Sequence, residues 1–262
     1  MGSRYGGPQP PRPRPPSSIV GMLKRALIGI PTALLVLSFA ACGEEDDSPE
    51  AVDPATSESS EPTASEPESP SDAAPAAGDC EYVPDGQSAD VDAPPADPTV
   101  SGKVEVTIDS SIGELHATLD AKQTPCTVGS FVSLAEQEFF DGTSCHRMTT
   151  TPNFEVLQCG DPTGTGTGGP GYTIPDELTG KETYPAGTLA MANTGAPNSG
   201  GSQFFICYGE TALPPNYAVF GTVDQETIDL ITDAAKAGVT PQMGPEDGAP
   251  KTPIDFKTVT VG

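Results

Sequence analysis

The residues best suited to chemistry cluster between Gly187 and Cys207, in GTLAMANTGAPNSGGSQFFIC. Two short apolar runs, LAMAN and SQFFIC, flank a segment of Gly, Asn, Pro and Ser, which reads as strand, exposed loop, strand. Loops held by a rigid scaffold are where binding and catalysis concentrate. Alternation along a strand puts Gln203 and Phe205 on one face and Phe204 on the other. That face is an apolar wall carrying one hydrogen-bonding amide, or else barrel core with one satisfied Gln; the run alone leaves both open. A second chemically distinctive residue is Arg147, the only arginine after residue 25 in a chain with 37 acidic residues against 12 Lys and Arg. A guanidinium is always charged and presents five N–H donors.

Other chemistries find little support. Two histidines, His116 and His146, lack the surrounding ligands a metal site needs, so no metal and no cofactor is expected. His116 is expected to face solvent from its strand, and His146 to point opposite Arg147 into the fold. Gly164–Gly169 matches G-x-G-x-x-G, but Pro170-Gly171-Tyr172 follows instead of a helix, so a loop bordering a groove is a better reading than dinucleotide binding. A formal net charge of −25 repels nucleic-acid phosphates and anionic lipid surfaces.

The elements that must position these residues lie in the last 160 or so residues, the only part with enough Val, Ile, Leu and Phe for a core. KVEVTID and ELHATLD alternate across a turn at Ser110–Gly113, which predicts an antiparallel hairpin with one buried side. Thr124-Pro125 opens a helix with Val128, Phe131, Val132 and Ala135 at helical spacing, closing before Gly142. A second helix is expected from about Asp224, a candidate cap, to Ala237, with Ile228, Ile231 and Ala235 as its stripe and Gly238 as its stop. The terminal PIDFKTVTV returns to strand, with a change of phase between Phe256 and Val259 that suggests a bulge. Many strands and two helices indicate a mainly β fold, a closed barrel with helical lids.

Upstream the composition changes twice. Residues 1–25 carry five Lys and Arg and no acid, and Ala26–Ala41 is apolar, too short for a comfortable span and the right size for a secretory signal. Phe39-Ala40-Ala41-Cys42 resembles the lipobox of bacterial lipoproteins, with Phe39 where Leu or Val is usual; the resemblance implies diacylglycerol on the Cys42 thiol and an extracytoplasmic, membrane-anchored location. An ordinary cleaved signal and an uncleaved anchor are the alternatives, and Met1 and Met22 both stand as starts. Residues 43–98 hold seventeen Asp and Glu with no Lys or Arg among Pro, Ser and Ala, which predicts a disordered tether. As a flexible chain it spans about 40 Å root-mean-square. CEYVPDG (Cys80–Gly86) is its one local exception, a candidate to dock on the domain. The expected organisation is therefore a signal segment with lipobox at 1–42, a tether at 43–98 and one domain at 99–262.

Five motifs in that domain, CHRMTT, VLQCGDPTGTGTGGPGY, AMANTG, GSQFFI and YAVFGTV, occur in order at spacings that resemble the cyclophilins, proline cis/trans isomerases. The resemblance covers about residues 101–262 and implies a closed eight-stranded antiparallel β-barrel capped by two α-helices. It also implies peptidyl-prolyl isomerase activity on Pro-containing unfolded or flexible polypeptides; joined to the lipobox and spacer, this makes the expected protein a monomer that aids folding outside the cytoplasm. By carry-over Arg147, Gln158 and Phe205 are catalytic. Phe205 floors the proline pocket and Val156 and Leu213 wall it. Gln158 and Gln203 bind substrate backbone and hold Arg147. Asn193 offers backbone groups to the residue before proline, Ala192 borders the adjoining groove, and Met191, Phe154 and Tyr217 complete the substrate contacts.

Three departures qualify the carry-over. Glu155 stands where the family has an aromatic, with Phe154 one step earlier, and whichever of the two turns inward decides whether the pocket is complete. Ala212 replaces a Trp that binds cyclosporin, so weak cyclosporin binding is expected. Tyr217 replaces a pocket His, a change a hydroxylated ring tolerates. Among the cysteines, Cys207 lies in an apolar strand and reads as a buried free thiol. Cys145 and Cys159 fall on strands expected to be neighbours, leaving Cys80 and Cys126 to staple the tether to the domain, though other pairings stay open. The alternative function is a non-catalytic module that binds Pro-containing segments as a chaperone or interaction partner, with Glu155 as its support.

Overall fold

Every second residue of KVEVTID and ELHATL is apolar, and the folded chain turns that side inward. The structure is a computed structural model in which residues 80–87 and 89–262 are described. A short strand β1 (Val83–Pro84) precedes the hairpin of β2 (Lys103–Ser110) and β3 (Gly113–Asp120). Val106 pairs with Ala117 and Ile108 with Leu115, and all four side chains are buried. Helix α1 (Pro125–Glu136) follows, with proline at its start, where the missing N–H costs no hydrogen bond. Its Val128, Phe131, Val132 and Ala135 are buried, as their spacing requires. Thr124 makes no side-chain cap, and the orphan N–H groups of Cys126 and Thr127 instead donate to the two carboxylate oxygens of Glu177 at 2.9 and 2.8 Å. Burial pushes the Glu177 carboxyl up, against the pull of those donors.

The remaining elements are β4 (Arg147–Thr149), β5 (Phe154–Cys159), β6 (Tyr172–Thr173), β7 (Thr188–Met191), β8 (Phe204–Thr211), β9 (Val219–Val223), α2 (Gln225–Ala235), β10 (Val239–Gly244), β11 (Asp247–Pro250) and β12 (Phe256–Val261). Asp224 caps α2 by accepting from the Thr227 N–H at 2.8 Å, and Gly238, at φ 76°, ends the turn that follows. The change of phase in the last strand is a register shift between Phe256 and Thr258. Phe204 joins Phe131, Phe140, Phe220 and Phe256 in an aromatic core under α1, with Phe131 and Phe140 stacked at 4.9 Å.

One sheet of ten antiparallel strands runs β10-β11-β4-β5-β8-β7-β9-β3-β2-β12, and β1 pairs with β6 in a sheet of two. The mainly β fold with two helices is as expected, while the strand ladders do not confirm the closed barrel of eight strands. The β10–β11 hairpin extends the sheet beyond β4, and no hydrogen-bonded ladder joins β10 to β12. The chain before β4 is tied to the start of β12 by an isolated bridge between Ser144 and Asp255 and by hydrogen bonds from Cys145 N–H to the Ile254 carbonyl at 2.9 Å, from Phe256 N–H to the Thr143 carbonyl at 2.8 Å and from Gly142 N–H to the Phe256 carbonyl at 2.9 Å.

The domain also begins earlier than residue 99. Cys80 forms a disulfide with Cys126, the Tyr82 hydroxyl donates to the Cys126 carbonyl at 3.0 Å, and β1 pairs with β6. Asp92 and Gln137 exchange hydrogen bonds of 2.8 and 3.0 Å. The expected tether therefore does not extend through residues 80–98. The signal segment, Cys42 and the tether up to residue 79 lie outside the described residues. Among the described residues no helix is long and apolar enough to cross a membrane.

Candidate active site

Strand register lays out a row of side chains on the sheet face away from the aromatic core. Arg147 of β4 pairs with Gln158 of β5, Gln158 with Phe205 of β8, and Phe205 with Ala190 of β7. Directly paired residues in adjacent strands share a face, so a guanidinium, an amide and a phenyl ring stand side by side. Phe204, one step off, points into the main core. Around the row Val156, Tyr184, Ala190, Phe205 and Cys207 form a second apolar cluster, against which Phe154, Ala192, Leu213 and Tyr217 pack. A cavity of about 210 Å³ opens over it, lined by Arg147, Phe154, Val156, Gln158, Ala192, Asn193, Phe205, Leu213 and Tyr217.

Arg147 is held on three sides. Its Nε and Nη2 donate to the two oxygens of Asp247 at 2.8 Å each, and its Nη1 donates to Gln158 Oε1 at 3.2 Å. The guanidinium carbon lies 5.6 Å from the centroid of the Phe154 ring. Three of five N–H donors are thus committed and two remain. Gln158 passes its amide N–H to Gln203 Oε1 at 3.0 Å, and Gln203 passes its own to the Gly168 carbonyl at 2.9 Å. Gly248 lets the β10–β11 hairpin deliver Asp247. A side chain at that position would collide with the main chain of Thr240 and Gln242 across the ladder.

Phe154, not Glu155, turns into the cavity. β8 carries extra residues opposite the step from Phe154, paired with Thr211, to Val156, paired with Cys207. The bulge leaves Glu155 lying over Gly209, which has no side chain to obstruct it. Tyr184 fixes the opposite wall. Its hydroxyl donates to the Tyr217 carbonyl at 3.1 Å and accepts from the Tyr217 N–H at 3.0 Å, while the Tyr217 ring meets Phe205 edge-on at 5.4 Å. Asn193 braces the rim through both ends of its amide, donating to the Asn216 carbonyl at 2.8 Å and accepting from the Gly195 N–H at 3.0 Å.

Met191 is the exception among the residues expected to contact substrate. Ala190 sits on the site face, so alternation sends Met191 through to the main core, where it is 4% exposed beside Gly200 and Ile174. Asp247 and Tyr184, by contrast, shape the site and carried no sequence signal. Cys145 is bonded to Cys159, and Cys207 is free and buried, its thiol pushed up to about 12 by burial. His146 is 9% exposed with an unpartnered Nδ1, its ring against Gly166. Burial lowers its pKa; Asp161 opposes that shift and Arg147 adds to it. His116 is half-buried, with Nδ1 3.4 Å from the Thr107 hydroxyl, and does not stand clear in solvent. Among the described residues no group of His, Cys, Asp and Glu could hold a metal ion.

The loop after β5 is built on a buried carboxylate. Asp161 accepts from the N–H and hydroxyl of Thr163 at 2.7 and 2.8 Å and from the N–H of Gly166. Burial alone would raise its pKa, yet these donors hold it below the ordinary value. This loop borders a second cavity of about 370 Å³, which shares Gln158, Ala192 and Asn193 with the first.

The family model for cyclophilin type peptidyl-prolyl cis-trans isomerases matches residues 103–261. The chain belongs to this family. It is 47% identical over 174 residues to a probable peptidyl-prolyl cis-trans isomerase B of Mycobacterium tuberculosis, covering 62% of this chain and 56% of that protein. The corresponding protein of Mycobacterium leprae is 42% identical over 199 residues, covering 69% and 65%. The chain thus spans less than two thirds of the length of these relatives. Among solved structures, a cyclophilin type isomerase of Cryptosporidium parvum superposes with a TM-score of 0.51 at 29% identity, over 61% of this chain and 98% of that one. The same protein in the presence of the dipeptide Ala-Pro gives 0.50 at 28%, over 60% and 98%.

Proposed function

We propose that this cyclophilin catalyses cis/trans isomerisation of X–Pro bonds. The observation that carries the reading is the row Arg147–Gln158–Phe205, in which a braced guanidinium with two spare N–H groups stands beside an aromatic-walled slot. Rotation about an amide is opposed by ~18–20 kcal/mol because the nitrogen lone pair is shared with the carbonyl. Around X–Pro both isomers are populated and exchange spontaneously in tens to hundreds of seconds. As the bond twists, the lone pair localises on the prolyl nitrogen, and an N–H of Arg147 directed there stabilises it. The apolar wall of Phe205, Phe154, Val156 and Leu213 seats the ring and disfavours the charge-separated planar amide. An acceleration of ~10⁵ asks for ~7 kcal/mol, within reach of preorganised donors in a water-poor site. The Asn193 side chain is occupied, so its main-chain groups are what remains for the residue before proline. The Cryptosporidium relative in the presence of Ala-Pro makes that dipeptide the natural minimal ligand.

Full-length protein should accelerate exchange of an Ala-Pro peptide, and Arg147→Ala should lower kcat/KM by about 10²–10³-fold. If wild type and variant both leave the spontaneous rate unchanged, the non-catalytic Pro-binding reading stands instead. Glu155, which supported that reading, lies off the cavity.

The setting belongs to the same proposal: a monomer lipidated at Cys42, acting outside the cytoplasm on Pro-containing segments of unfolded or flexible polypeptides to aid their folding. Its support is the apolar run at 26–41 ending in Cys42 and the acidic spacer behind it. Cyclosporin should bind weakly because exposed Ala212 offers no indole, and tight inhibition in a titration would contradict this.

A further inference from the structure

The second cavity has a wall from outside the family match. Residues 80–102 precede the matched region 103–261, yet Asp85 and Gln87 line this cavity beside Gly166–Pro170 and Gln203. The segment is fixed in place. The Cys80–Cys126 disulfide anchors one end, β1 pairs Val83 with Thr173 and Pro84 with Tyr172, and Asp85 N–H donates to the Gly171 carbonyl at 3.1 Å. The Tyr82 ring packs edge-on against Tyr172 at 5.6 Å. Among the described residues Asp85 is the only charged one lining the cavity. Its oxygens accept only neutral donors, the Gln87 N–H at 2.8 Å and the Gln87 amide at 3.1 Å, and among the described residues it makes no salt bridge. A methyl group placed on Gly169 would lie 3.5 Å from Gln87 Nε2 and 3.8 Å from Asp85 Oδ2, so both side chains stand against the glycine-rich loop.

In an extended peptide, side chains two residues apart project to the same side, about 7 Å from one another. With a proline ring over Phe205, the side chain two residues earlier falls past the shared Ala192–Asn193 lip into the second cavity. We propose that Asp85 makes this cavity a specificity pocket for Lys or Arg at the second position before the isomerised proline. The inference rests on the isomerase reading and adds a substrate class to it: cationic Pro-containing segments, read by a wall the chain adds to the family fold.

The test is NMR exchange without a coupling protease, using the full chain and peptides X-Ala-Pro-Phe with X as Lys, Ala or Glu. In wild type, kcat/KM for Lys should exceed that for Glu by about five-fold, the size expected for a partly exposed ion pair gained and a like-charge pair avoided. The ratio should fall toward one in Asp85→Asn, invert in Asp85→Lys, and shrink in about 1 M salt. A wild-type ratio near one, or one that Asp85→Asn leaves unchanged, overturns the inference while the isomerase reading survives on the Ala peptide. If wild type leaves all three peptides at the spontaneous rate, the isomerase reading fails first and takes this one with it.

Discussion

Removing the Asp247 carboxylate should slow isomerisation by releasing Arg147. Two of the three bonds that hold the guanidinium go to Asp247, both at 2.8 Å, while the remaining bond to Gln158 is longer at 3.2 Å. Charge-assisted hydrogen bonds contribute about 1.5–3 kcal/mol each where they are shielded. The two side chains are 21% and 20% exposed, so screening removes part of that. The relevant quantity is the ordering of Arg147. An unrestrained arginine recovers a share of its ~2 kcal/mol of rotamer entropy, which must be lost again in each transition state. A penalty of about 1–2 kcal/mol corresponds to a fall of about 5–30-fold in kcat/KM for Asp247→Ala. A smaller fall is expected for Asp247→Asn, which keeps one acceptor in place. An opposing effect exists: deleting the carboxylate frees two N–H donors and unmasks a positive charge beside the prolyl nitrogen. Exchange measurements on an Ala-Pro peptide, with circular dichroism as a check on folding, decide between the two. A folded Asp247→Ala protein with unchanged or raised kcat/KM would show that Asp247 damps the guanidinium and does not position it.

His146 should make stability fall on mild acidification. Burial depresses its pKa from 6.5, so the unfolded chain binds the proton more tightly, and the stability present above about pH 6.5 is lost as pH drops toward the lower folded value. Urea midpoints measured from about pH 7 to 5 should slope less in His146→Gln than in wild type; parallel slopes would rule His146 out. For the proposed anchor, Cys42→Ser should move the protein from membrane to soluble fractions on cell fractionation, whereas unchanged retention would point to an uncleaved apolar helix.

The parts of the fold written in local periodicity were open to sequence reading. Alternation in β2 and β3, the apolar stripe of α1 and the Asp224 cap of α2 each depend on residues a few positions apart, and the structure shows each of them. Strand count and closure are different. β10 and β11 hold PQMG and DGAP, sequences of turn-like composition whose pairing depends on a glycine, Gly248, that lets the strands approach. Nothing local marks them as strands, so the ten-stranded sheet was not legible in the sequence. The tether boundary failed for a similar reason. Residues 80–98 have a disordered composition, but a disulfide to Cys126 and a two-residue ladder to β6 hold them through contacts far away in sequence.

The site divides along the same line, and its division says what the site is made of. Gln203 and Phe205 were assigned to one face by parity, and the structure brings both to Gln158, Phe205 as its register partner and Gln203 through a hydrogen bond of 3.0 Å. The same rule also excludes Met191: if Ala190 and Ala192 face the groove, the residue between them cannot. Family likeness carries a list of positions, and parity is the physical filter on that list. The residues that neither route reached, Asp247 and Tyr184, act from outside the row. One reaches Arg147 across 100 positions of sequence, and the other holds the main chain of Tyr217 with its hydroxyl. The row of Arg147, Gln158 and Phe205 is thus encoded within its own strands, whereas Asp247 and Tyr184, which hold parts of the site still, are encoded elsewhere. Substitutions in this supporting set should therefore change kcat more than KM, because they loosen the arrangement in the transition state without removing a surface the ground state touches.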